Sequence, residues 1–176
     1  MQQTSRAAAS VLVVEDDPDV RDLLVEHFKD RGFDVAATGD GRAAVTAVTR
    51  EPSRYTLIFT DLNLPGADGL AVLEAARSAN PAIRVVIITG YASLDSAIQA
   101  VRLGAFDYLT KPFSIGQIDL VLQRAAQSEA LELENRELAR RSSEDSADRL
   151  ASDVLARLGD IEARLAAIER LLRARF

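Results

Sequence analysis

The sequence predicts an α/β protein, a doubly wound five-stranded parallel sheet followed by a projecting α-helical tail. Three observations carry this. Five short, β-branched apolar runs punctuate the first two-thirds of the 176 residues, stretches with helical spacing separate them, and after Phe113 no further strand-like run appears. Runs apolar on both faces suit a parallel sheet covered by helices on each side, and strict β-α alternation connects such strands by right-handed crossovers.

The strands are read at Val11 to Val14, Phe33 to Ala37, Thr56 to Thr60, Ile83 to Thr89 and Phe106 to Leu109. Val20, Leu23, Leu24, His27 and Phe28 repeat at helical spacing after the first, and Leu70, Leu73 and Ala76 after the third. Pro18 stands where a first helical turn tolerates proline, Gly32 and Gly104 stand where helices should end, and Pro81 leads into the fourth strand. The α/β domain should occupy residues 9–127, after a disordered stretch at 1–8. The fifth helix is expected to start at Ser114. Unbroken to Arg140 it would reach roughly 40 Å, too long to lie wholly on a small domain. Residues 141–148, RSSEDSAD, read as a flexible break or a solvated turn with Ser142 or Ser143 capping a last helix, and residues 128–176 as a helical, coiled-coil tail.

A formal charge of −6, with arginine supplying almost all of the 21 basic side chains, argues against a protein that coats nucleic acid, because phosphate binding relies on cationic excess. With no cysteine there is no thiol nucleophile, disulfide or thiolate metal site, and one histidine makes a His-cluster metal centre implausible. The first ten residues lack a secretory apolar stretch, and no run approaches the roughly 18 residues needed to cross a bilayer. A soluble protein, cytoplasmic in location, is expected.

The polar residues that interrupt the apolar pattern fall at the carboxyl ends of strands, where open parallel sheets form their sites. Glu15, Asp16 and Asp17 follow the first strand, Asp61 ends the third, Thr89 ends the fourth and Lys111 follows the fifth. Carboxylates converging from the first and third strands repel unless neutralised, and an all-oxygen set suits a hard cation such as Mg²⁺. A carboxylate beside such an ion can act as a nucleophile toward phosphorus, with a lysine and a hydroxyl serving the phosphoryl oxygens. Asp61, Lys111 and Thr89 fit those roles.

The motifs VLVVEDDPDVRDLL at 11–24, LIFTDLNLPGADGL at 57–70, VVIITGYAS at 85–93 and GAFDYLTKPF at 104–113, in that order, resemble the response-regulator receiver domains of two-component signalling. The resemblance covers about residues 9–127 and implies the flavodoxin-like receiver fold. It implies Asp61 as phosphoacceptor, Mg²⁺ held by Glu15, Asp16, Asp61 and the main-chain carbonyl of Asn63, Thr89 and Lys111 on the phosphoryl group, and Tyr108 as an aromatic switch coupled to Thr89. It also implies a cis peptide at Lys111-Pro112, leaves Asp17 outside the metal set, and assigns Asn63 and Tyr91 to places that tune phosphoryl lifetime.

Other features carry less. His27 lies on the apolar stripe of the first helix and reads as a core-edge residue. Glycines 39, 41, 66 and 69 spell neither a GxGxxG nor a Walker sequence. From residue 129 onward acids outnumber arginines, so the basic residues there read as a solvated helical face. Val154, Leu158, Ile161, Leu165, Ile168 and Leu172 form a heptad seam with the leucines at a and Val154, Ile161 and Ile168 at d. Arg157 and Arg164 at g face Glu162 and Glu169 at e of a parallel partner, which favours a parallel homo-oligomer, a dimer or a tetramer. The alternative is an amphipathic helix folding back on the domain.

The function expected is a non-enzymatic, phosphorylation-dependent response regulator. Asp61 receives its phosphoryl group from a histidine kinase or histidine phosphotransfer protein, and output runs through protein-protein contact or self-association. No helix-turn-helix or nucleotide-hydrolase segment follows the α/β domain, so no direct nucleic-acid contact and no membrane insertion are expected. The rivals are a phosphorelay intermediate, a scaffold with a vestigial acidic site, and a metal-dependent phosphohydrolase. Asn63 weakens the last, since it stands where a second acid would be needed.

Overall fold

The computed structural model describes residues 9–91 and 93–141. The chain divides into two compact units with the boundary between Leu122 and Gln123. In the first, the strands are β1 (Ser10–Val14), β2 (Asp34–Thr38), β3 (Leu57–Asp61), β4 (Arg84–Thr89) and β5 (Asp107–Thr110). Between them run α1 (Pro18–Asp30), α2 (Gly41–Arg50), α3 (Gly69–Ala79) and α4 (Leu94–Arg102). All five strands are parallel in the order β2-β1-β3-β4-β5. A further helix, α5, runs through residues 115–141, starting one residue later than Ser114. The expectations for residues 1–8, for a cap at Ser142 or Ser143 and for the seam from Val154 to Leu172 lie outside the described residues.

The apolar runs are strands because their alternate side chains feed two separate cores. Leu12, Val14, Ile58, Val85 and Ile87 face Ala44, Val48, Val72, Leu73 and Ala100 of α2, α3 and α4. Val11, Val13, Phe59, Val86 and Ile88 face Leu24 and Phe28 of α1 with Ile118 and Val121 of α5. Phe28 packs against Phe59 with ring centroids 4.9 Å apart and the rings tilted by 45°. The central strands β1, β3 and β4 are covered on both sides and buried almost throughout, whereas edge strand β2 is half open.

Local chemistry sets the helix ends. Asp17 caps α1, its carboxylate accepting from the N–H groups of Asp19 and Val20, and Pro18 follows in the first turn. Gly32 and Gly104, just past α1 and α4, take φ of +80° and +82°, a left-handed conformation that a side chain disfavours. Ser93 and Ser96 close a reciprocal capping box at α4. The order of the strands then decides where a site can form. From β1 the chain turns to one side for β2 and to the other for β3, so a crevice opens beyond the carboxyl ends of β1 and β3.

Candidate functional site

Glu15, Asp16 and Asp61 meet at that crevice, each contributing a carboxylate oxygen within 4.8 Å of the others. Glu15 follows β1 and is only 1% exposed, Asp61 closes β3 and is 6% exposed, and Asp16 lies open. Lys111 reaches in from the end of β5, its side chain 22% exposed. Its Nζ donates to Asp61 Oδ2 at 2.5 Å and to Glu15 Oε1 at 2.9 Å. It also lies 2.8 Å from Glu15 Oε2, as an ion pair without hydrogen-bond alignment, which leaves that buried oxygen with no hydrogen-bond donor. The Lys111 N–H donates to the carbonyl of Thr89 at 2.8 Å, and the peptide from Lys111 to Pro112 is cis.

Burial pushes the Glu15 carboxyl above the usual range, and the neighbouring Lys111 pulls it only part of the way back. For Lys111, burial works against the charged form, but its hydrogen bonds to Asp61 and Glu15 outweigh that and hold the ammonium above its ordinary pKa. Three carboxylates against one ammonium leave the pocket electron-rich. The all-oxygen donor set, with Glu15 Oε2 buried and accepting no hydrogen bond, fits a hard divalent cation.

The remaining predicted residues surround this centre. Asn63 donates its main-chain N–H to Asp61 Oδ1 at 2.9 Å, which holds the backbone after β3 against the carboxylate. Thr89 is fully buried at the end of β4, and its hydroxyl oxygen accepts from the N–H of Tyr91 at 3.1 Å. Tyr91 itself is 83% exposed at the rim. Asp17 stands outside the carboxylate group, engaged in capping α1. Tyr108 pairs its hydroxyl with Ser96 Oγ at 2.9 Å, which ties it to the first turn of α4. That partner lies 12 positions upstream on another element, so nothing in local spacing announces it. The sequence reading also passed over Arg21, whose Nη1 donates to the carbonyls of Glu15, 2.8 Å, and Asp16, 3.4 Å. Its place one turn into α1 was the available signal, since helical side chains lean toward the amino end. His27 is buried at the core edge, as expected, but against an acid: its Nε2 lies 3.0 Å from Asp119 of α5.

Close backbone contact shapes the loop after Asp61. A Cβ on Gly69 would stand 2.2 Å from the carbonyl oxygen of Asp61 and 3.0 Å from Leu62 Cα, both backbone atoms. Gly→Ala inside a helix ordinarily stabilises, so the sign here is diagnostic. Gly69→Ala is expected to destabilise the protein by about 1–3 kcal/mol, read by urea denaturation, because the overlap must be relieved by moving the backbone.

A doubly wound parallel sheet thus gathers three carboxylates and a lysine beyond its carboxyl ends, with the buried Thr89 hydroxyl at the end of β4. The chain belongs to the response regulator receiver domain family, whose model matches residues 11–123. It is 33% identical to the regulatory protein AtoC of Escherichia coli over 128 residues, 73% of this chain and 27% of AtoC. The chain thus spans little more than a quarter of the curated relatives it matches. Among solved structures it resembles the chemotaxis protein CheY4 of Vibrio cholerae, with 28% identity and a TM-score of 0.61 over 68% of this chain and 99% of that one. It also resembles a response regulator from Burkholderia pseudomallei solved with a phosphorylated aspartic acid and a calcium ion. There the identity is 30% and the TM-score 0.60, over 70% of this chain and 72% of that one. This is therefore a receiver domain of a two-component response regulator, a class that interacts with histidine kinases and typically binds Mg²⁺ through an acidic cluster. No helix among the described residues is long and apolar enough to cross a membrane.

Proposed function

We propose that this chain is a cytoplasmic, phosphorylation-dependent switch rather than a catalyst acting on an outside substrate, and that its helical tail carries the response through self-association. Asp61 takes a phosphoryl group from a phosphohistidine of a partner kinase or phosphotransfer protein. The observation that carries the reading is the Asp61 carboxylate, nearly buried at the end of β3 yet held open to the crevice between Lys111 Nζ and the N–H of Asn63.

In that reaction an Asp61 oxygen forms the new O–P bond while the P–N bond to the imidazole breaks, and the bonding pair leaves with the imidazole, which takes up a proton. Glu15, Asp16, Asp61 and the main-chain carbonyl of Asn63 would hold Mg²⁺, which supplies neutralisation of the converging negative charge. Lys111 is already on Asp61 and needs only a small shift to pair with a phosphoryl oxygen. The Thr89 hydroxyl accepts from Tyr91 and so has its own proton free to donate to the phosphoryl group. Drawing Thr89 toward phosphate opens room beside β4 for Tyr108, whose inward movement would give up Ser96 and loosen the first turn of α4. A bias of about 1–3 kcal/mol between the two arrangements is enough for a response.

The reading is tested by exposing the full chain to a small acyl phosphate with Mg²⁺ and with chelator. Intact-mass spectrometry should find one added phosphoryl group with the metal and none without it, and peptide mapping should locate it at Asp61. Uptake that ignores the chelator, or a label elsewhere, would refute the assignment. Lys111→Ala should still bind Mg²⁺ by calorimetry but lose most of the phosphate-dependent change in assembly, since its charge serves the phosphoryl group. Full activation of that variant would remove Lys111 from the role.

A further inference from the structure

We propose that Arg21 is a positioning residue for the cation site, holding the β1–α1 loop so that Glu15 and Asp16 face Asp61. This rests on reading those three acids as cation ligands. Glu15 and Asp16 leave the sheet together, with the Glu15 N–H still on the carbonyl of Thr38 at 3.0 Å. Their own carbonyls are gathered by a single group, Nη1 of Arg21, at 2.8 and 3.4 Å. Arg21 can do this because its N–H bonds to the carbonyl of the cap residue Asp17, 2.9 Å, which seats it one turn into α1 with its side chain leaning back over the loop.

A second contact shows that the guanidinium has a built place. On the far side of the loop Gly39 follows β2, and a Cβ there would come within 3.1 Å of Arg21 Nη1 and 3.5 Å of the Glu15 carbonyl oxygen. The missing side chain leaves a slot between the β1–α1 loop and the end of β2, and the guanidinium fills it. Fixing two successive carbonyls fixes the two peptide planes, and with them the direction in which the attached carboxylates leave the chain. Groups that orient metal ligands from behind typically change metal affinity 10–100-fold when removed.

The sign of the effect separates positioning from mere charge. A cation near a Mg²⁺ site repels the ion, so deleting Arg21 as a bystander would leave affinity unchanged or tighten it. Deleting it as a positioning group must weaken affinity. Titrating Mg²⁺ into the unphosphorylated full chain by calorimetry, Arg21→Met is expected to raise Kd by about tenfold. Phosphoryl uptake from acetyl phosphate should then need correspondingly more Mg²⁺ yet approach the parent rate at saturation, a split that a general loss of structure would not produce. Arg21→Lys keeps the charge on a side chain one bond shorter and should raise Kd to an intermediate degree; it also serves as the measurement if the Met variant does not fold. Unchanged or tighter Mg²⁺ binding by the variants, with the parent binding normally, would overturn the Arg21 role alone. A parent chain that takes up no Mg²⁺ would overturn the cation-site reading, and this role with it.

Discussion

Asp61→Asn is expected to reduce phosphoryl uptake to background while leaving the fold intact. The substitution is nearly isosteric, and the side-chain oxygen can still accept the N–H of Asn63 as Asp61 Oδ1 does at 2.9 Å. What disappears is the anionic oxygen that forms the O–P bond, and a neutral amide is no substitute nucleophile. Stability should change little because two effects oppose one another. Lys111 loses one of its two carboxylate partners but keeps Glu15. The acidic cluster in turn loses one of its three mutually repelling charges. Radiolabelled acetyl phosphate with Mg²⁺ gives the first readout and thermal unfolding the second. A variant that still incorporates label would show that Asp61 is not the acceptor, and one that unfolds at the temperature of the parent but takes up nothing would tie the loss to chemistry.

The second large effect is expected in the tail. If the proposed self-association runs through the tail, Ile161→Asp combined with Ile168→Asp should leave a single chain in light scattering where the parent assembles, while Asp61 still accepts phosphate. Both positions are at d in the heptad seam read from the sequence, so each substitution sets carboxylates in the middle of an apolar contact, where an unpaired charge is strongly disfavoured. A seam of fewer than three heptads has little stability to spare. The charge pattern provides an independent check. Arg157→Glu with Arg164→Glu should weaken assembly, and adding Glu162→Arg with Glu169→Arg should restore it, because in a parallel pair g meets e of the partner. An unchanged mass for the double Asp variant would exclude the tail as the assembling element. Identical assembly with and without a phosphate mimic would separate assembly from the switch.

The fold was legible because its signals are local. Strands β1, β3 and β4 are buried on both faces, so their residues had to be apolar in unbroken runs, and the runs stood out. Asp17, Pro18, Gly32 and Gly104 announce helix ends through backbone requirements that hold wherever the helix sits. The acids of the site were legible for the same reason, since Glu15, Asp16 and Asp61 interrupt apolar runs at strand ends. The heptad seam of the tail remains a statement of sequence alone.

What the tertiary structure decided are the meetings between distant residues. No periodicity shows that β1 lies between β2 and β3, yet that order is what brings Glu15 and Asp61 to one crevice. Lys111 bonds to Glu15 across 96 positions, and His27 faces Asp119 across 92. Tyr108 meets Ser96 of α4, and Arg21 closes on carbonyls that any residue would carry. Local pattern reports what a residue's own element demands of it, burial, alternation or a cap. Which side chains touch across elements depends on where the packed backbones put them, and that follows from the strand order and the two cores as a whole.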